Sequence, residues 1–110
     1  MDPVPHPISS LDTYDTVVTT DRGAYLGLVI ASPLRDDEVS RARLKKKIDL
    51  YTGYFQSPQY LERCGTPSLD RSRVYISIHA GSAPSMLELV ESYDAHFRDF
   101  GITLVVKISS

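Results

Sequence analysis

Apolar positions recur in two spacings along this chain, and the spacing predicts its elements. Four stretches read as strands. Tyr14 to Thr20 (YDTVVTT) is rich in β-branched residues. In Ala24 to Ala31 (AYLGLVIA), Leu26, Leu28 and Ile30 face one side and Tyr25, Gly27 and Val29 the other. Arg73 to Ala80 (RVYISIHA) alternates Val74, Ile76 and Ile78 with Tyr75, Ser77 and His79. Ile102 to Ile108 (ITLVVKI) completes the set. Two stretches read as helices. From Asp37 to Ser57, Leu44, Ile48, Tyr51 and Phe55 fall on one stripe, with Arg41, Arg43, Lys45, Lys46 and Lys47 largely off it. In the second helix Met86, Val90, Tyr93, Phe97 and Phe100 share a face.

Local chemistry supplies the boundaries. Asp21-Arg22-Gly23 is a turn signal, and Gly23 is expected to take the positive φ of a tight hairpin, so the first two strands pair antiparallel. Asp36 or Asp37 caps the first helix, and Pro58 closes it. Gly53, inside that helix, suggests the close approach of another backbone. Ser57 caps a short turn from Pro58 to Cys64 that Gly65 ends. Ser85 and Glu88 form a capping box for the second helix, and Gly101 is its C′ glycine.

The resulting order is ββαβαβ. One-sided helices beside a four-stranded sheet predict an α+β two-layer sandwich with both helices on one sheet face. Residues 1–11, proline-rich at the start, read as a disordered arm, and residues 12–110 as a single domain. The opposite sheet face then carries Tyr25, Val29, Tyr75, His79, Thr103 and Val105, with Ser77 and Lys107. No helix remains to cover it, so Tyr25, Val29, Tyr75, His79 and Val105 are the candidate interface.

Several of these features together resemble a small bacterial domain family of unknown function. They are an Asp-bearing first strand, a Gly-led second strand, the helix reading Leu44…Lys47-Ile48-Asp49…Tyr51…Phe55-Gln56-Ser57, a capped second helix with aromatics near its end, and Gly101-Ile102-Thr103-Leu104. The resemblance covers roughly residues 14–108 and implies the ββαβαβ fold. Gly53 and the longer Thr66–Ser72 loop depart from it. That family has no assigned activity, so it brings no functional residues.

Composition narrows the function classes. The chain is 42% hydrophobic and 24% charged, with net charge −2. That balance argues against a general nucleic-acid or anionic-membrane binder. The N-terminus shows no secretory signal and no apolar run is long enough for a membrane span, and the lone Cys64 has no disulfide partner within the chain. A reducing cytoplasm is the expected setting.

Chemistry is sparse. His6, His79 and His96 stand at no metal-ligand spacing, and no cofactor motif or catalytic constellation is present. Ala80-Gly81-Ser82-Ala83 joins a strand to a helix start but lacks both phosphate-loop patterns. The sequence therefore favours a non-enzymatic module that binds a protein partner or its own copy, of accessory, regulatory or immunity type. A small enzyme or ligand binder using His79 and Cys64 near the Gly81–Ser85 loop is the alternative. A nucleic-acid binder working through the basic first helix is the weaker one.

Overall fold

Strand chemistry and helix stripes assemble into one sheet backed by helices. The computed structural model describes residues 7–8, 11, 13–20 and 23–109. In chain order the elements are β1 (Thr16–Thr19), β2 (Ala24–Ile30), α1 (Glu38–Phe55), α2 (Pro58–Cys64), β3 (Ser72–His79), α3 (Pro84–Asp99) and β4 (Thr103–Ser109). The sheet order is β1-β2-β3-β4. β1 pairs antiparallel with β2, as the hairpin pattern predicts. β2–β3 and β3–β4 are parallel. Each parallel step needs a crossover. Here α1 with α2 supplies the first and α3 the second. Both step the same way across the sheet, so a common handedness puts them on one face.

Burial agrees with that arrangement. Leu26, Leu28, Ile30, Val74, Ile76 and Ile78 are at most 1% exposed. They meet the α1 stripe of Leu44, Ile48, Tyr51 and Phe55, together with Met86, Val90 and Phe97 of α3. Each such side chain contributes roughly 1.5–3 kcal/mol through burial. The α+β two-layer reading holds, with α2 as a third, short helix.

The caps divide into those the local sequence specifies and those it does not. Asp37 is the N-cap of α1 and its carboxylate accepts the Ser40 N–H at 2.7 Å. Ser57 caps α2, its hydroxyl accepting from Tyr60 N–H. The capping box expected for α3 does not form. Its N-cap is Ala83, with no side-chain bond, because Pro84 occupies the first helical position and moves Ser85 inside the helix. The Ser85 hydroxyl instead donates to the Asp36 carboxylate, 49 residues away in sequence. Gly101 follows α3 with φ 75, as a C′ glycine does.

Of the two glycine expectations, the one for Gly53 is corrected. The φ of Gly23 depends on Arg22, which lies outside the described residues. Space is short at Gly23, where a Cβ would lie 1.9 Å from the Arg71 carbonyl oxygen, which accepts the Ala24 N–H. Gly53 admits no close backbone, with nothing within 4 Å of its Cβ position. Asp21 and Arg22 of the expected turn lie outside the described residues.

The expected N-terminal arm is also revised where it is described. Ile8 is 2% exposed and belongs to the core, and its carbonyl accepts from Arg43 Nε at 2.7 Å. Leu11 packs against the same cluster. An apolar side chain after the prolines has enough burial to offset the cost of fixing its backbone. Residues 1–6, 9–10 and 12 lie outside the described residues.

Lys47 departs furthest from the sequence pattern. Rather than joining a wet basic face, it is 2% exposed. Its ammonium donates to the Thr13 carbonyl, lies 3.5 Å from an Asp15 carboxylate oxygen, and sits 5.6 Å from the centroid of the Tyr51 ring. The helix turns this position toward the start of β1, where a carbonyl and a carboxylate satisfy the charge.

Candidate functional site

Register decides what the uncovered face carries, because residues paired across neighbouring strands point to the same side. One row reads Val18, Tyr25, Arg73, Thr103. The next reads Thr16, Gly27, Tyr75, Val105. A third reads Val29, Ser77, Lys107, and the last pairs His79 with Ser109. The five predicted residues Tyr25, Val29, Tyr75, His79 and Val105 therefore share one face. Val29 is 50% exposed, and Tyr25, Tyr75 and Val105 are 37–39% exposed. His79 is half-buried at the end of its strand, where its Nδ1 accepts the Gly81 N–H at 2.9 Å.

A hollow of about 380 Å³ lies on this face, over Gly27. Thr16, Val18, Tyr25, Val29 and Tyr75 wall it, and Ser77 and Lys107 close one side. Gly27 lets Thr16 of the neighbouring strand come close, since a Cβ there would stand 3.0 Å from Thr16 Cβ. The hollow is flanked by two tyrosines whose rings meet edge to face at 6.3 Å.

Arg73 is the residue that the sequence reading missed. It stands two positions before Tyr75, so period two alone places it on the open face. Its guanidinium carbon is 5.9 Å from the Tyr25 ring centroid, and Nη1 donates to the Tyr75 hydroxyl at 3.4 Å. That hydroxyl raises the Arg73 pKa further above its usual value. Arg73 Nε is buried and has no hydrogen-bond partner.

The charge on the face has one sign. Its rows hold Arg73 and Lys107 and no carboxylate. Asp70, in the loop before β3, is held by the Ser68 hydroxyl at 2.7 Å, and chiefly for that reason its pKa is lowered. Asp15 is drawn to the helix side by Lys47, while its second oxygen accepts the Val29 N–H at 2.8 Å. A chain of net charge −2 thus presents a cationic, aromatic and aliphatic face.

The other candidates do not assemble. Cys64 lies beside Thr20, its thiol 3.8 Å from the Thr20 carbonyl, and Tyr60 of the same helix bonds Ser72 at the start of β3. His79 is at the far end of β3. The strand between them spans roughly 23 Å, so no nucleophile–base pair forms. The Gly81–Ser85 loop is already served by an acid, since Asp36 receives Ser85 and Arg41, and these bonds lower its pKa, Ser85 first. His96 is not at the surface as its helix position suggests. It is half-buried, its Nε2 lies 3.0 Å from the Thr52 hydroxyl, and its ring meets Tyr93, Phe97 and Phe100 edge on.

The basic run of α1 is dispersed among local partners. Arg41 pairs with Asp36, Lys45 with Asp49 at 3.3 Å, Arg43 with the Ile8 carbonyl, and Lys47 is buried. Among the described residues no group of three His, Cys, Asp or Glu side chains is placed to hold a metal ion, and no helix is long and apolar enough to cross a membrane. Compared with protein-family models, curated proteins and solved structures, the chain matches none.

Proposed function

We propose that this chain is a non-enzymatic binding module whose open sheet face docks a protein partner bearing acidic and bulky apolar side chains. The observation that carries the reading is the face itself. A hollow over Gly27 sits among exposed tyrosines and valines, and every charge around it is positive. Tyr and Arg are the residue types that dominate interface energetics. The hollow is of a size to seat one aromatic or branched side chain, and Arg73 is placed to meet a carboxylate beside it. Self-association face to face would set a cation-only surface against its own copy. The charges therefore favour a different, acidic partner over a homodimer through this face. An accessory, regulatory or inhibitor role fits such a surface, and a reducing cytoplasm fits the lone Cys64.

Selection from a phage-displayed random peptide library tests the proposal. The expected winners combine Asp or Glu with Phe, Leu or Ile within a few residues. They should bind Arg73→Gln and Tyr75→Glu at least about tenfold more weakly than the parent chain. Winners without acidic residues, or winners indifferent to both substitutions, would sink the reading.

A further inference from the structure

The two edges of the sheet are built differently. β1 has four residues, and β2 runs past it. The uncovered length of β2 is closed by side chains. The Tyr51 hydroxyl donates to the Gly27 carbonyl at 2.6 Å and accepts the Asp15 N–H at 3.0 Å. The Asp15 carboxylate then accepts the Val29 N–H. The open row on that edge is limited to the four residues of β1. β4 is longer, holds an unbroken register with β3, contains no proline, and among the described residues has no strand on its outer side.

Backbone parity shows which groups of β4 point outward. The Ser109 carbonyl accepts the Ala80 N–H at 2.7 Å, on the β3 side. Odd-numbered residues of β4 therefore turn their N–H and C=O groups toward β3, and Leu104, Val106 and Ile108 turn theirs away. Ile108 is 50% exposed and Val105 37%. An unbroken, apolar, unpaired edge is a template for another strand.

We infer that β4 pairs antiparallel with β4 of a second copy of this chain, across a two-fold axis at Val106, joining the two four-stranded sheets edge to edge. Parity and charge select this register. Antiparallel hydrogen-bonded pairs need outward-pointing residues on both strands, which only the even-numbered positions provide. Centred at Val106, Val106 faces its own copy and Leu104 faces Ile108 of the second copy, each pair exchanging both N–H···O bonds. The Leu104–Ile108 contact covers the exposed Ile108 on the helix side. On the open side Val105 lies beside Lys107, so the two lysines do not oppose each other. A centre at Lys107 would set them directly opposite, and a centre at Val105 would leave Ile108 beyond the paired stretch. The two-fold axis runs perpendicular to the sheet, so both open faces look the same way and neither is buried. The inference rests on the edge and stands apart from the partner proposed for the face.

Sedimentation of the full chain from micromolar to near-millimolar concentration, with amide exchange followed by NMR, tests it. The expected result is a monomer–dimer equilibrium in which the Leu104, Val106 and Ile108 amides gain protection as the dimer fills. Ile108→Pro removes one outward N–H and leaves the β3 ladder intact, and should weaken association at least about tenfold. Val105→Glu, set opposite Lys107 of the second copy, should tighten it about two- to tenfold, and Val105→Lys should weaken it by a similar factor. These two variants decide the matter if Ile108→Pro fails to fold. A chain that stays monomeric throughout overturns the inference, as does a dimer whose three amides exchange freely or one indifferent to the charge at Val105.

Discussion

Lys47 and Asp15 form an unequal pair, and the inequality sets what each substitution does. The lysine side chain is 2% exposed and the aspartate 31%. Removing the carboxylate strands a buried ammonium and uncovers the Val29 N–H. Asp15→Ala should cost about 2–3 kcal/mol in urea unfolding. Lys47→Met keeps the volume and leaves behind an acid that water can reach, so its cost should be about 1–2 kcal/mol. Equal costs would contradict this burial asymmetry. Gly27 is the other decisive residue. Gly27→Val fills the hollow and presses on Thr16, which should cost about 1–2 kcal/mol through overpacking and abolish peptide binding to the open face. Neither role can be read from one position. Lys47 sits in a basic run, and a strand glycine reads equally as a bulge or a close approach.

At the scale of elements, α1 is self-sufficient and α3 is not. Asp37 caps α1 from the adjacent position, and Asp37→Ala should lower stability by about 1 kcal/mol. The Ser85–Glu88 pair has the spacing of a capping box, but with Pro84 at the first helical position the N-cap is Ala83, two positions before Ser85, which leaves Glu88 outside the box. Glu88→Ala should therefore stay within about 0.5 kcal/mol of the parent, and a loss as large as that of Asp37→Ala would restore the capping box. The acid that does serve α3 is Asp36, which comes from the other crossover. Local spacing carries no trace of it, because the contact exists only once β2 and β3 lie side by side.

The whole molecule is bounded at both ends of the pH scale. Asp36 and Asp70 have lowered pKa values, each chiefly through a serine hydroxyl. The stability they contribute is fully present above their unfolded value of 3.8 and is lost as pH falls through the folded values. The urea midpoint should decline below that value, and Asp36→Asn should flatten the decline. Tyr51 is pushed up to about 12, foremost by burial. A raised tyrosine contributes stability present below its unfolded value of 10.0 and lost as pH rises toward 12. Tyr14, Tyr54, Tyr60 and Tyr93 shift the same way through burial. Alkaline unfolding should therefore set in between those two pH values, and Tyr51→Phe should move its onset upward.

By itself the sequence determined the elements, the hairpin and the membership of each sheet face. Those properties follow from spacings of two and 3.6 residues, which act within a few positions of one another. Tyr25, Val29, Tyr75, His79 and Val105 could be grouped from alternation alone, and Arg73 by the same logic two places before Tyr75. Only the tertiary structure decided the strand order, the burial of Lys47 and Ile8, the distance between Cys64 and His79, and the hollow over Gly27. Each of these depends on register between segments far apart in the chain. Register is set by the shared core and by backbone pairing, and no local spacing encodes it.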